Sequence, residues 1–491
     1  MSGMRRSLSK WRAGVVPILF SLLLILPGCG GGGDDNNSSP PPPASVSVTS
    51  GTITQKGSVF VNGVEFGTEG ATLVMDGETT TLGADDGVLK IGMQAAIEGQ
   101  FNGDGLTGQA KRIKVKNMMI GPIDAVVTGS LTKTLSILGQ TVVVVEGETR
   151  LDGISFAGLA VGPVVKVHGL AKPDGSVEAS YIELMADSLT DFLADPNHYL
   201  EVKGPVSNLA GATFTINALT VDASGVNPLP TGLADGVLVE VKGRVYAPDP
   251  SPTLTATSVT VLSSSLGVTD ADLAVIEGYI TSLDTAQQTF VVEGQTVSYA
   301  GVSFLGGDAT DLAVAAKVEA EGTLVDGILQ AVKIRFKDGI RIEGKIASAG
   351  DTIALQGLPE IAPQIELGLT WFQHFENVGD LLPDEGVKVR ARMNGSTLMA
   401  TRIDLEPNGN SDQVKLRGPV GDSDGTAGTV TVLDYVVDTS SIPDANFKIG
   451  ETSVGSAAFF AALKAGDMVK INGQLNTDGT AVTWREIEID E

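Results

Sequence analysis

The sequence predicts an all-β protein made of six tandem copies of one small domain. Three patterns recur in the same order along the chain, as expected for short strands joined by tight turns. Gly is abundant, at 61 of 491 residues, whereas aromatic residues make up 5%. This composition fits many short strands, because glycine supplies the positive φ angles that hairpin turns require.

The first pattern is a strand of alternating apolar and polar residues between two glycines. In GVLVEVKG at 236–243 the valines alternate with polar residues, which is the period-2 signature of a half-buried strand. Clear copies are at 92–99, 162–169, 236–243 and 466–473. Degenerate copies are at 315–322 and 386–393, the latter with Met393 in place of the second glycine.

Two further patterns complete each unit. An Ala-x-x-Ile or Ala-x-x-Val strand follows the first pattern, at Ala110/Ile113, Ala179/Ile182, Ala256/Val259, Ala331/Ile334, Ala400/Ile403 and, as Trp/Ile, Trp484/Ile487. A strand with one glycine opens each unit, at Gly51, Gly129, Gly204, Gly278, Gly344 and Gly418. Their regular spacing predicts repeats at 49–117, 120–186, 198–263, 274–337, 338–406 and 412–491.

The order of elements within a unit predicts a small closed sheet. An opening strand and two further strands precede a short helical stretch that contains Phe, and the two marker strands follow. The phenylalanines are Phe156, Phe304, Phe372, Phe375, Phe459 and Phe460. We therefore expect OB-like β-barrels of about five strands plus a short helix, with Phe plugging the open end.

These repeats resemble a bacterial family of tandem β-barrel domains known as domain of unknown function 5666. The resemblance rests on the V-x-V-x-G strand and the following A-x-x-I strand, and it covers nearly all of residues 50–490. It implies a β-barrel fold on a lipoprotein or secreted protein. The family has no established catalytic residues, so the resemblance implies no activity.

The amino terminus predicts a lipoprotein signal peptide at 1–28. Arg5, Arg6, Lys10 and Arg12 precede an apolar run at 15–26 that is too short to span a bilayer comfortably. The following Leu-Pro-Gly-Cys resembles a bacterial lipobox, which implies acylation at Cys29 with chains such as palmitate. Gly30 resembles a signal for outer-membrane delivery. The alternative is an ordinary signal peptide with an incidental cysteine.

Residues 29–48 are predicted to be the acylated cysteine and a flexible Gly/Ser/Pro tether. Acidic stretches at 185–198 and 263–274 are expected to be mobile linkers. Residues 336–340 leave little room between the fourth and fifth units, which predicts a stiff coupling there.

Composition excludes several classes of function. The chain has 33 basic and 59 acidic residues, for a net charge of −26, which repels nucleic acids. One cysteine allows neither an intramolecular disulfide nor a multi-cysteine metal site, and no two of the three histidines have metal-ligand spacing. We expect no cofactor, no metal and no nucleic-acid partner. Weak binding of Ca²⁺ to surface carboxylates is the alternative.

Two short motifs resemble catalytic or nucleotide-binding sequences but lie in turns. GDSDG at 421–425 fits G-x-S-x-G, yet no histidine follows it. GDGLTG at 103–108 fits G-x-G-x-x-G, yet no helix follows. Asp422 and Asp424 do not start an EF-hand, because Ala427 and Leu433 stand where Gly and Glu are required. The sequence therefore predicts that the protein is not an enzyme.

The histidines and one aromatic cluster are the remaining candidate sites. His168 precedes a repeat glycine where other units have different polar residues, which predicts a solvated strand face; His198 lies in a linker. Residues 371–375 read WFQHF, and the candidate ligand-binding residues are Trp371, Phe372 and His374. A sugar or peptide could stack on Trp371. Alternatively, these aromatic side chains cap the barrel of the fifth repeat.

The leading hypothesis is a non-enzymatic lipoprotein of the outer membrane, attached through acyl chains on Cys29. Its six barrels would form a beaded rod for scaffolding or adhesion, with an envelope protein or polysaccharide as partner. The alternative is a glycan- or small-ligand-binding lipoprotein that uses the aromatic cluster of the fifth repeat.

Overall fold

The computed structural model describes residues 47–55, 58–83, 87–102, 106–262, 266–366, 368–406, 412–450 and 452–489. The predicted signal peptide, Cys29 and most of the tether lie outside the described residues. The chain from Ser45 to Glu491 forms one compact unit. Its described part consists mainly of short strands with two short α-helices, which confirms the predicted all-β class.

The first three repeats contain nineteen described strands, which are joined by short connections. The first repeat holds β1 (Ser47–Gln55), β2 (Val59–Val61), β3 (Val64–Gly67), β4 (Thr72–Met75), β5 (Glu78–Thr81), β6 (Gln94–Phe101) and β7 (Thr107–Lys116). The second holds β8 (Met119–Thr128), β9 (Thr132–Ile137), β10 (Gln140–Val145), β11 (Arg150–Asp152), β12 (Val164–Ala171) and β13 (Val177–Ala186). After α1 (Leu189–Leu193), the third holds β14 (Leu200–Pro205), β15 (Ser207–Ala210), β16 (Thr213–Ile216), β17 (Leu219–Asp222), β18 (Leu238–Ala247) and β19 (Thr253–Val261).

The last three repeats follow the same order. The fourth holds β20 (Ala271–Asp284), β21 (Thr289–Val292), β22 (Gln295–Ser298), β23 (Ser303–Leu305), β24 (Lys317–Val325) and β25 (Ile328–Phe336). The fifth holds β26 (Ile340–Ala349), β27 (Ile353–Leu355), β28 (Gln364–Ile365), β29 (Trp371–Gln373), β30 (Gly386–Asn394) and β31 (Thr397–Leu405). The sixth holds β32 (Gln413–Asp424), β33 (Thr429–Val432), β34 (Tyr435–Asp438), β35 (Phe447–Ile449), β36 (Thr452–Ser453), α2 (Ser456–Ala462), β37 (Met468–Leu475) and β38 (Val482–Ile489).

Strand pairing forms a closed circuit in the first, second and fourth repeats. In the fourth repeat β20 pairs with β21, β21 with β22, β22 with β25, β25 with β24, and β24 with β20. The first and second repeats have the same circuit. The sixth differs, since β34 pairs with β33 alone among the described strands, and the bulky Trp484 stands where other repeats have Ala.

A β-bulge explains the recurring Gly and Ala of the two marker strands. Gly322 lies opposite Ala331 at a register shift, and the same pairing occurs at Gly99/Ala110, Gly169/Ala179 and Gly243/Ala256. A Cβ on Gly322 would lie 2.0 Å from the carbonyl oxygen of Gln330. The bulge therefore requires glycine in these repeats, because the partner backbone occupies the space of a side chain.

We expect Gly322→Ala to lower the free energy of unfolding by about 1–3 kcal/mol, the cost of overpacking a tight site. Gly350→Ala is the matched control, since a Cβ added there would have no other atom within 4 Å and its φ is not positive. Urea unfolding and amide exchange in β24 and β25 measure the effect. Equal midpoints for the two variants would contradict the role of the bulge.

The backbone hydrogen bonds correct two assignments made from sequence. In every repeat the N–H of one residue with positive φ donates to the backbone carbonyl of a buried residue in, or directly after, the opening strand, over 2.7–3.0 Å. The donors are Gly92, Gly162, Gly236, Ala315, Asp384 and Gly466. The acceptors are Ile53, Ile123, Val206, Ile280, Ile346 and Val420. The fifth copy of the first pattern therefore spans 384–391 rather than 386–393, and Gly121, not Gly129, is the opening glycine of the second repeat.

A short parallel strand replaces the predicted helical stretch in most repeats. One apolar residue of this strand lies opposite the Ile of the last strand, in the pairs Leu73/Ile113, Leu151/Ile182, Phe304/Ile334, Phe372/Ile403 and Phe447/Ile487. The prediction of a Phe-bearing helix is correct only for α2, which contains Phe459 and Phe460. Extended backbone allows the apolar side chain to pack inward beside this Ile.

The described parts of the two predicted mobile linkers are ordered. Ser188 caps α1, Phe192 of α1 is buried, and Arg244 donates to the carbonyls of Leu193, Asp195 and Pro196. Residues 263–265 of the second linker lie outside the described chain, and Ala271 already belongs to β20. The described parts of these segments therefore pack against the cores of neighbouring repeats through Phe192 and Leu266.

Neighbouring repeats share sheets, so they are not separate beads. β8 of the second repeat pairs antiparallel with β14 of the third, and β26 of the fifth pairs with β32 of the sixth. In both joints the residues two places before the opening glycines face each other, as Met119/Val202 and Ile342/Leu416. β1 pairs parallel with β20. The second and third repeats thus pair as the fifth and sixth do, and we call repeats 1–3 and repeats 4–6 the two halves of the molecule.

The hydrophobic core follows this pairing. One buried cluster spans the second and third repeats, and another spans the fifth and sixth. The fourth and first repeats each have a cluster, the latter joined by Tyr181 of the second repeat. Val143, Val145, Leu369 and Met399 form a smaller cluster between the second and fifth repeats. The predicted rod of independent barrels is therefore replaced by repeats that pack against each other.

Candidate ligand-binding site

The structure divides the aromatic cluster of the fifth repeat. Phe372 lies on β29 opposite Ile403, and its ring stacks on Phe375 at 4.8 Å and packs against the core of the fifth and sixth repeats. Trp371 precedes it on the same strand, so its side chain points to the opposite face. Phe372 therefore belongs to the repeated core, and it does not share a stacking surface with Trp371.

Trp371 and His374 lie beside charged residues of β31. Trp371 is half-buried opposite Arg402, and its indole nitrogen has no hydrogen-bond partner among the described residues. His374 is exposed, with Nδ1 2.8 Å from Asp404 Oδ1. The same Asp404 is 3.1 Å from Arg402. These contacts hold the two side chains at the edge of a larger basic surface.

That surface is a row of five cations across one sheet. Arg402, Arg390, Arg341, Arg417 and Lys470 face each other in turn on β31, β30, β26, β32 and β37. Like charges directly opposite each other on neighbouring strands are destabilising. In a protein with net charge −26, this row needs a compensating anion or a cover of hydrogen-bond acceptors.

The fourth repeat supplies most of that cover. Asp311, whose side chain is fully buried, lies 3.0 Å from Arg341 and 2.5 Å from Arg390. Arg390 also donates to the carbonyl of Asp338, and Arg417 donates to the carbonyls of Gly306 and Gly339. Burial alone disfavours the Asp311 carboxylate, but the two arginines outweigh it and lower its pKa to about 2.

An open groove lies at the junction of the fourth, fifth and sixth repeats. Its volume is about 600 Å³, within the range of small-molecule sites. Its apolar lining includes Phe336, Met393, Pro419 and Met468, and four cations, Arg335, Lys337, Arg392 and Arg417, also line it. None of the described residues that line it is acidic. A smaller cavity of about 20 Å³ next to Asp311 has room for roughly one water molecule.

Behind the groove, one buried carboxylate joins three repeats. Glu178 of β13 accepts from Tyr279 at 2.6 Å and lies 3.2 Å from Lys317 and 3.4 Å from Arg392. Arg392 also binds Glu148 through two nitrogens, at 2.6 and 3.2 Å. Burial disfavours the charged Glu178, but Arg392 and Lys317 hold its pKa well below the usual range. The second, fourth and fifth repeats are thus coupled electrostatically.

His168 is buried, which corrects the prediction of a solvated strand face. It is 1% exposed, its Nδ1 lies 2.7 Å from the carbonyl oxygen of Lys116, and its ring contacts Tyr181 edge-on. Its Nε2 has no partner among the described residues. Burial lowers the pKa of His168 to about 4. With the fifth copy of the pattern at 384–391, the residue equivalent to His168 is Arg390. Arg390 likewise contacts the preceding repeat, through Asp311.

Residues 421–424 of the GDSDG motif form the end of β32 and only Gly425 lies in the turn that follows, so the predicted placement of this motif in a turn is correct only for its last residue. Asp424 ends β32 and accepts from the N–H groups of Thr426 and Ala427, so its carboxylate closes a turn. Part of the 103–108 motif lies outside the described residues. Over the described part of the chain, no group of three or more His, Cys, Asp or Glu side chains could hold a metal ion. No described helix has the length and apolar character needed to cross a bilayer.

The groove was not predicted from the sequence, although the sequence contains a signal for it. The stretch KVRAR at 388–392 alternates cations with core residues, and Arg341 and Arg417 lie before the glycines of the opening strands of the fifth and sixth repeats. This alternation shows that one face of three strands is basic. The pairing of the fifth and sixth repeats, which places those strands side by side, was not predicted.

Comparison with known proteins identifies the repeat unit. A family model described as Domain of unknown function (DUF5666) matches residues 47–114, 120–183, 196–260 and 277–335, which together make up more than half of the chain. The match confirms the resemblance seen in the strand patterns. No curated protein shows a significant match to the chain. The fifth and sixth repeats lie outside the matched segments but share the hydrogen bond between marker and opening strands.

Proposed function

Because the chain belongs to the DUF5666 family of domains of unknown function, we propose that it is a non-enzymatic lipoprotein of the cell envelope. Its body consists of six small OB-like barrels that act together as one interaction scaffold, anchored at the outer membrane through Cys29. The closed strand circuits support the barrel interpretation, since a barrel removes the free edges of a sheet.

One observation carries the proposal of a scaffold: the strongly perturbed ionisable groups connect repeats to one another. Glu178 joins three repeats, Asp311 joins the fourth to the fifth, and His168 joins the second to the first. Such groups are candidates for catalysis when they face a cleft, but ion-pair networks that stabilise structure perturb pKa values equally well. Here their partners are side chains and carbonyls of neighbouring repeats.

The same contacts argue against a flexible array of independent beads. Paired sheets and buried charges fix the orientation of adjacent repeats, so the surfaces of different repeats present a fixed arrangement to a partner. A preorganised surface loses less entropy on binding than a flexible one. We therefore favour an envelope protein or polysaccharide partner that contacts several repeats at once.

The anchor is tested by metabolic labelling with palmitate. The native chain is expected to incorporate the label and to fractionate with the outer membrane, and Cys29→Ser is expected to abolish both. Gly30→Asp is a matched control, which should keep the label but move the chain to the inner membrane in an enterobacterial host. Labelling of the Cys29→Ser chain would show that the acylation site is wrong.

The scaffold is tested in the same cells by lysine crosslinking. The native chain should recover an envelope partner, and the Cys29→Ser chain should lose that partner together with its membrane retention. If both chains recover the same partner in the same yield, anchoring does not serve this interaction. If neither chain recovers any envelope component, the proposal of a scaffold is wrong.

A further inference from the structure

The two halves of the molecule contain equivalent grooves. Equivalent positions in the two halves are found by counting from the bulge residues and the opening glycines. On this count, the first half has Lys116, Ala171 and Lys203 where the second half has Lys337, Met393 and Arg417. Pro419 faces Met468 in the second half, as Pro205 faces Leu238 in the first. Equivalent positions on equivalent strand pairs therefore surround this place in both halves, so the side chains found there can be compared.

In the first half, a carboxylate of the chain itself lies in this place. Glu293, at the turn between β21 and β22, accepts from the N–H of Ala171 at 3.3 Å. Burial lowers the pKa of Lys116 to about 8, and the negative charge of Glu293 is the largest opposing influence. The fourth repeat thus places an acidic side chain against Lys116 and the edge of β12.

In the second half, the equivalent place is the open groove. Lys337 and Arg335 share one carboxylate, that of Glu319, so two cations face one anion. Met393 is 42% exposed, and Met468 and Pro419 are half-buried beside it. No acidic residue among the described residues lines the groove as Glu293 does in the first half.

We propose that this groove binds an amphipathic carboxylate, a small molecule with one carboxylate and an apolar chain. The carboxylate takes the place that Glu293 takes in the first half, beside Lys337 and Arg417. The apolar chain lies on Phe336, Met393 and Met468. Methionine side chains adapt to irregular apolar ligands, and a charge-assisted hydrogen bond to a cation fixes the carboxylate.

The shape and charge of the groove decide between ligand classes. A small inorganic anion would leave the apolar walls in water, and an uncharged hydrocarbon would form no charge-assisted bond with Lys337 or Arg417. A nucleic acid is disfavoured by the net charge of −26 on the whole chain. One localised anion on an apolar body matches both parts of the lining.

Calorimetric titration of octanoate and octanol into the full chain carrying Cys29→Ser tests the proposal without detergent. We expect one octanoate per chain, and octanol at least about tenfold weaker, because it cannot form the charge-assisted bond. Lys337→Gln is expected to weaken octanoate binding about tenfold, whereas Lys111→Gln, the same charge change at an exposed site, leaves it unchanged.

Met393→Glu is the decisive variant, because it places a carboxylate of the chain in the groove as Glu293 is placed in the first half. The exposed position tolerates the change, and an unaltered thermal midpoint verifies the fold. We expect it to abolish octanoate binding. Absence of saturable binding to the parent chain, equal affinity for octanol, or octanoate binding that survives Met393→Glu would overturn the proposal. None of these outcomes depends on the acyl anchor, which is absent from every chain tested.

Discussion

Replacing Glu178 with glutamine is expected to lower the free energy of unfolding by about 3–5 kcal/mol, the cost of removing one partner from a buried ion pair. Glu178 is 7% exposed, and its partners Lys317 and Arg392 approach from two other repeats. Without the carboxylate these two cations face each other across a poorly hydrated space. Glutamine keeps an acceptor for Tyr279 but removes the negative charge.

The effect of this substitution extends beyond its own repeat. Because Glu178 contacts the fourth and fifth repeats, amide exchange should accelerate in β24 and β30 as well as in β13. A double-mutant cycle with Arg392→Gln should give a coupling energy above about 1 kcal/mol. Urea unfolding followed by tryptophan fluorescence measures the free energies.

Glu183→Gln on the same strand is the matched control. Glu183 is half-exposed, and its nearest cation is Lys166 at 3.7 Å. Lys166 keeps Asp76 as a partner at 2.7 Å, so losing the longer contact to the half-exposed Glu183 should cost at most about 1 kcal/mol. Should Glu178→Gln be no more destabilising than this control, or should its effect stay within the second repeat, Glu178 does not couple the three repeats.

The sequence predicted the features that a repeat imposes on its own strands. The bulge requires Gly322 opposite Ala331 because a backbone carbonyl fills the space of a side chain, so the requirement appears as a fixed sequence pattern. In the fifth repeat, Asp384 and Ala391 occupy the two positions that are glycine in the clear copies of the pattern. The pattern is therefore harder to recognise there, and the register assigned from sequence was wrong by two residues.

Contacts between repeats carry no such periodic signal. Tyr279 and Glu178 are far apart in sequence, and nothing in either strand shows that they meet. Alternation identifies the outward face of β12 but does not show that another repeat covers it, so His168 was wrongly predicted to be solvated. Phe372 shows the opposite error. It was predicted to belong to a ligand site, but it occupies the position at which the other repeats with this short parallel strand place a core residue.

His168→Asn is expected to remove a large part of the acid sensitivity of the protein between pH 6.5 and pH 4. Burial lowers the pKa of His168 from 6.5 to about 4, because removal from solvent disfavours the charged imidazole. Above pH 6.5 the folded and unfolded states are both neutral at this residue. As the pH falls through this window, the unfolded state gains a proton that the folded state cannot accept, so stability decreases.

The size of the loss follows from the shift in pKa. At about 1.4 kcal/mol per pH unit, it amounts to about 3 kcal/mol by pH 4. Asparagine can keep the hydrogen bond to the carbonyl of Lys116 but does not titrate. The raised pKa values of Asp124 and Glu293, caused mainly by burial, act in the opposite direction, but they are common to both chains and cancel in the comparison.

The contributions of the lowered carboxyl groups fall in a different pH range. Glu178 and Asp311 stabilise the folded state above their unfolded pKa values of 4.5 and 3.8, and this stabilisation is lost only as the pH falls below them. Urea midpoints of the two chains should therefore diverge from pH 6.5 down to pH 4.5, before these carboxylates contribute. Parallel midpoints over this range, or an imidazole that titrates near 6.5 by NMR, would show that the first repeat does not seal His168 from water.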